Sequence, residues 1–249
     1  MIVIDNKPVS TIPELDGFIP DTLQQSIIKS LMSSQTTYRY QSIRHLVAEL
    51  MVRGSVVTAS RDLAHSGFKF KVFRESMANP EFWRRTGEGG FMLRRDVLPS
   101  DAIQDIYQHG PQYGTECATA MIIVLYKAML DVMPVETFNR LYSDIYLMNW
   151  KHLDRDLAIV MLDQAADQLP GDARYFRNPD VDPLTPQWQG ENVYYLGNGR
   201  YYGHGIGITD GAGIIRSLNA HRKPGATRSA YLDDSVKRQD YLYLSRFTK

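Results

Sequence analysis

Residues 110–120 read Gly110-Pro111-Gln112-Tyr113-Gly114-Thr115-Glu116-Cys117-Ala118-Thr119-Ala120. Gly110-Pro111 stops a preceding helix, and an apolar run from Ala118 to Val132 follows. This pattern predicts a helix from near Thr115 to about Met133, with the only cysteine of the chain in its first turn. With Thr115 as N-cap, free backbone N–H groups and the helix dipole would favour a thiolate at Cys117. The same N–H groups could receive an oxyanion. Ala118 and Ala120 are small enough to let a substrate approach. Two considerations oppose this reading. A lone cysteine is usually a small buried hydrophobe. Glu116 is a carboxylate beside the thiol and would raise its pKa. It is therefore expected either to point away or to take part in proton transfer.

Working outward, Asp21 or Thr22 caps a helix to about Met32, and a second helical pattern runs from Ser42 to about His65, ended by Gly67. Residues 82–85 and 91–94 flank a Gly-rich turn and read as a hairpin. Pro99-Ser100-Asp101 opens a helix to about Gln108, and Pro134 starts a short one. The stretch Trp150 to Gly171 is ambiguous. Pro179, Pro183 and Pro186 mark a long loop. Gly197-Asn198-Gly199 joins two strands, and Asp210 to Leu218 is helical. Short strands are expected near Tyr231 and Tyr241. Helices come first and strands mainly later, without a βαβ rhythm, which indicates an α+β class. Residues 1–20, with Pro8, Pro13 and Pro20, read as an extended arm on a single domain covering 1–249.

The chain has 249 residues and is 43% apolar, enough to bury a core. Lys+Arg and Asp+Glu are both 28, so no basic excess exists to displace counterions from a nucleic acid. One cysteine cannot form an internal disulfide, which points to a reducing, cytoplasmic compartment. The first eight residues lack the pattern of a signal peptide. Lys127 and Asp131 interrupt the longest apolar stretch, which is too short to span a membrane. No pattern bears on oligomeric state.

Among six histidines, His204 in Tyr202-Gly203-His204-Gly205 is the best candidate for a base to the cysteine, since its glycine neighbours allow close approach. The bland alternative is a histidine at a hairpin end. Gly205-Ile206-Gly207 with Gly211 fails the spacing of a dinucleotide loop. Asp154, Asp156, Asp163 and Asp167 do not make a calcium loop. Neither a metal nor a cofactor is expected.

The motifs Tyr113-Gly114-Thr115-Glu116-Cys117-Ala118-Thr119-Ala120 and Gln187-Trp188-Gln189-Gly190-Glu191-Asn192-Val193 resemble the bacterial spore-coat transglutaminases. Tyr202-Gly203-His204-Gly205-Ile206-Gly207-Ile208, Lys223-Pro224-Gly225-Ala226, Ser66-Gly67-Phe68-Lys69-Phe70 and Tyr175-Phe176-Arg177-Asn178-Pro179 extend the likeness, which is poorest over 151–170. The resemblance implies a papain-like, NlpC/P60-related fold with helices and a small antiparallel sheet. It implies a calcium-independent protein-glutamine γ-glutamyltransferase. Cys117 would be the nucleophile, Glu191 the principal acid/base and Glu116 a partly redundant second carboxylate. It further implies protein substrates bearing reactive Gln and Lys, namely spore coat proteins, and action in the mother-cell cytoplasm and at the coat.

Such chemistry makes a demand. Reference values of about 4.3 for Glu and about 8.5 for Cys leave the proton transfer uphill by about 6 kcal/mol. A dry, partly apolar channel around Cys117 and Glu191 would narrow that gap, with Trp188, then Trp150 and Phe70, as walls. Two alternatives stand beside this reading. One is a papain-like Cys117–His204 amidase or peptidase. The other is a non-catalytic structural coat component with a buried thiol.

Overall fold

In the computed structural model, which describes residues 1–9, 11 and 15–249, the apolar run after Glu116 forms the central helix. Seven helices are present among the described residues: α1 (Thr22–Ser33), α2 (Ile43–His65), α3 (Pro99–Gln108), α4 (Cys117–Val132), α5 (Val135–Leu141), α6 (Gly211–Asn219) and α7 (Tyr241–Leu244). Their starts follow local chemistry. Asp21 and Gln24 form a reciprocal capping box on α1. Ser42 caps α2, Asp210 caps α6, and Pro99 sits in the first turn of α3. Gly67, just past α2, has φ +82°, a conformation glycine adopts without strain.

Apart from its first turn, Lys127 and the exposed Asp131, α4 is apolar because its neighbours cover it. It packs on α2 and on strand Gly190–Gly197, and Ala120 through Met129 are buried except Lys127. The Tyr194 hydroxyl donates to the Met121 carbonyl at 3.0 Å, tying helix to sheet. The main sheet has the strand order Gly207–Asp210, Arg200–Gly203, Gly190–Gly197, Ala173–Arg177, Val236–Gln239, Ile159–Leu162, and Tyr231–Leu232 also pairs with Ala173–Arg177. All these pairings are antiparallel. A helix bearing a cysteine at its start, laid on an antiparallel sheet, is the papain-like α+β arrangement anticipated above.

Two expectations need correction. The stretch expected as an extended arm contains a hairpin, Ile2–Ile4 with Lys7–Val9. Ile2 and Leu15 join a cluster with Ile27, Ile28 and Leu31, so burial holds this stretch on α1. Residues 10 and 12–14 of the expected arm lie outside the described residues. Tyr241 begins a short helix capped by Asp240, and the strand there is Val236–Gln239. The ambiguous stretch supplies strand Ile159–Leu162 at the sheet edge.

Candidate active site

Strand Lys69–Phe70 runs parallel to Gly114–Thr115, and the Lys71 N–H donates to the Thr115 carbonyl at 2.9 Å. This pairing keeps Thr115 extended, so the N-cap of α4 is Glu116 and not the expected Thr115. The Glu116 carboxylate folds back over the helix end. It accepts from the N–H groups of Ala118 at 2.6 Å and Thr119 at 2.7 Å, and from the Thr119 hydroxyl at 2.5 Å. Glu116 therefore does not point away. It also takes two of the N–H groups that were expected to serve an oxyanion.

Cys117 is half-buried and borders a cleft of about 1260 Å³. Phe70 and Phe73 line the cleft on the 70–75 stretch, with Pro183 and Leu184 on the long loop, and Trp150 and Tyr175 beside the sulfur's helix. Leu184 is 89% exposed. Asn192 donates its side-chain N–H to Cys117 Sγ at 3.4 Å, and Trp150 Nε1 donates to Asn192 Oδ1 at 2.9 Å.

Glu191 is only 3% exposed, and its Oε1 has no hydrogen-bond partner. It lies on strand Gly190–Gly197, packed against the backbone of Gly203 on the next strand. Burial, then the charge of Glu116, pushes its pKa well above the ordinary carboxylate range. Burial, then the charges of Glu191 and Glu116, pushes the Cys117 thiol upward, and the Asn192 side chain opposes that rise. The expected lowering of the thiol by the helix end is thus reversed, first by burial and then by the charges of Glu191 and Glu116. Such a site resists a second negative charge beside Glu116.

His204 is 3% exposed and stacks on Phe68 with ring centroids 4.8 Å apart. Both ring nitrogens are engaged, Nε2 with the Lys69 carbonyl at 3.1 Å and Nδ1 with the Tyr202 hydroxyl at 3.2 Å. Burial lowers its pKa to about 4. The imidazole ties the Lys69–Phe70 strand to the main sheet, and neither partner is the sulfur.

Of the expected walls, Phe70 and Trp150 line the cleft. Trp188 does not; it lies face to face on His221 with centroids 3.8 Å apart, packed on the cluster around Phe176 and Ile214. Its neighbours Gln187 and Gln189 border the cleft instead. Sequence reasoning missed Asn192 and Tyr175. The one signal for Asn192 was its place next to Glu191 in the quoted motif.

Among the described residues, no group of three or more His, Cys, Asp or Glu side chains is arranged to hold a metal ion. No helix among them is long and apolar enough to cross a membrane.

Comparison with known proteins adds to this geometry. The chain matches the family profile described as protein-glutamine gamma-glutamyltransferase over residues 1–248. It is 45% identical over 224 residues to the protein-glutamine gamma-glutamyltransferase of Bacillus mycoides (strain KBAB4), covering 90% of this chain and 80% of the relative. It is 43% identical, with the same coverage, to the protein of that name from Bacillus cereus (strain B4264). The transglutaminase from Geobacillus stearothermophilus, without its C-terminal extension, superposes with a TM-score of 0.79 at 51% identity, covering 83% of this chain and 98% of that one.

Proposed function

The chain belongs to the protein-glutamine gamma-glutamyltransferase family and is an acyltransferase, and from that premise we propose that it cross-links proteins through a thioester on Cys117. The observation that carries this reading is Glu191. It is a buried carboxyl with an unpartnered oxygen, and its charge acts on the only thiol of the chain at the edge of an open cleft.

In the first step Glu191, as carboxylate, takes the Cys117 proton, and the sulfur attacks the side-chain carbonyl carbon of a protein glutamine. Glu191 returns that proton to the leaving nitrogen as the C–N bond breaks. Ammonia departs and a thioester remains. In the second step a neutral lysine amine attacks the thioester. Glu191 takes a proton from the amine, the C–S bond breaks, and the sulfur regains a proton. The product is an isopeptide bond. Glu116 keeps the start of α4 in place and adds the charge that lifts Glu191 toward the thiol. The raised carboxyl lowers the cost of the first transfer, whereas the raised thiol adds to it.

At pH 7 only about one lysine in 2,500 is neutral, so water competes for the thioester. The apolar side chains along the cleft favour a packed protein segment over bulk water there. The substrates in this reading are coat proteins of the endospore, joined in the mother cell and at the coat surface. His204 has no part in the chemistry, because both of its nitrogens are already engaged.

Incorporation of a fluorescent primary amine into a glutamine-rich protein tests the reading. Wild type should label the protein and release ammonia, and Cys117→Ala should do neither. Labelling by Cys117→Ala would overturn it.

A further inference from the structure

Asn192 touches the sulfur, but which end of its carboxamide faces Cys117 decides whether it helps or hinders a thiolate. An indole N–H can only donate. Trp150 Nε1 lies 2.9 Å from the Asn192 side-chain oxygen, so the oxygen must face the indole and the amide nitrogen must face Sγ. We propose that Trp150 is a positioning residue. Its N–H fixes the Asn192 carboxamide so that a donor, not an acceptor, faces Cys117. The proposal rests on the reading of Cys117 as nucleophile and explains what keeps that sulfur usable.

The two partners come from separate elements and are each held independently. Asn192 stands opposite Tyr175 in the register of the main sheet. Trp150 follows Asn149, which has φ +35° and donates its N–H to the Thr119 hydroxyl at 3.0 Å. That hydroxyl in turn donates to Glu116. The loop bearing the indole is thereby tied to the first turn of the cysteine helix. Lys237 Nζ lies 4.9 Å from the centroid of the Trp150 ring, a cation against the aromatic face.

The groups acting on the sulfur explain why the flip matters. Burial, then the charges of Glu191 from the sheet and Glu116 at the helix cap, disfavour a thiolate. The Asn192 N–H opposes them, since a donor stabilises the charged sulfur. If the amide turned over, its oxygen would add a further repulsion. Asn192 alone does not choose between the two orientations; the indole N–H does.

The test measures the rate at which iodoacetamide alkylates Cys117 as a function of pH. It needs no glutamine substrate. Asn192→Ala and Trp150→Phe should each slow alkylation at pH 7 about tenfold, the change in thiolate fraction from one pKa unit. The double variant should be no slower than Asn192→Ala, because the indole acts only through the amide. Replacing Trp150 by 3-benzothienylalanine keeps both rings, removes only the N–H, and covers the case in which Trp150→Phe does not fold. It should match Trp150→Phe. Wild-type alkylation in the benzothienyl variant, or a double variant about a hundredfold slow, would overturn the proposal. Absence of amine incorporation by the wild type, with this coupling intact, would count against the cross-linking reading alone.

Discussion

The Glu191 carboxyl rests on Gly203 of the neighbouring strand, so close that a β-carbon there would come 2.9 Å from Oε1. That oxygen is buried and has no hydrogen-bond partner. Because the pKa is raised in the fold, the folded chain holds this proton more tightly than the unfolded chain. The stability this brings is complete below the unfolded value of about 4.3 and is lost as pH rises toward the folded value. Glu191→Gln carries no charge at any pH. Its melting temperature should gain on wild type as pH rises from about 4.5 to about 8. Parallel melting curves across that range would rule out a buried, charge-averse carboxyl.

The two carboxylates should separate kinetically. Glu191→Gln should lower amine incorporation by about a hundredfold or more, the usual contribution of general acid–base catalysis. Glu116→Gln keeps an oxygen for the Ala118 and Thr119 N–H groups and should lose no more than about tenfold, with about 1 kcal/mol of helix-cap stability. Equal losses in a lysine–glutamine cross-linking assay would reverse the ranking.

For His204 the expected loss is in stability. Its pKa is pushed down to about 4, so the stability it brings is present above the unfolded value of about 6.5 and is lost as pH falls through the folded value. Between those limits wild type should lose about 3 kcal/mol that His204→Asn does not, measured by denaturant unfolding. Activity per folded molecule should stay within about tenfold of wild type. A loss beyond a thousandfold in well-folded His204→Asn would restore the cysteine–histidine dyad.

Gly190 has no space for a side chain. A β-carbon there would overlap the Tyr175 hydroxyl and come 2.5 Å from the Phe176 carbonyl oxygen. Gly190→Ala should cost about 2 kcal/mol or more and shift the adjoining Glu191, lowering amine incorporation at temperatures where the variant is folded. Adding Tyr175→Phe should relieve only part of the stability cost, because the ring carbon that bore the hydroxyl and the Phe176 carbonyl both remain. Full recovery would place the strain on the Tyr175 hydroxyl alone.

Local patterns disclosed much of the frame. The run after Glu116 reads as a buried helix because nearly every residue in it is apolar, and Gly197-Asn198-Gly199 reads as a turn because it needs positive φ. What stayed hidden depends on contacts between distant segments. Thr115 is the better cap by residue type, but its pairing with Phe70 moves the cap one residue on. Trp188 sits three residues from Glu191 in the chain, yet strand pairing leaves it on His221. Asn192 gains its meaning only when a loop residue 42 positions earlier delivers an indole N–H to it. Burial of Glu191 was demanded by the energetics of the proposed reaction, so chemistry located it where periodicity did not.

The occupied end of α4 bears on inhibitor chemistry. A compound that relies on a carboxylate or sulfonate to anchor beside Cys117 meets an acid already seated on the Ala118 and Thr119 amides. Uncharged warheads such as chloroacetamides escape that repulsion and copy the shape of a glutamine side chain. Selectivity over thiol enzymes with a vacant helix end would follow from electrostatics alone.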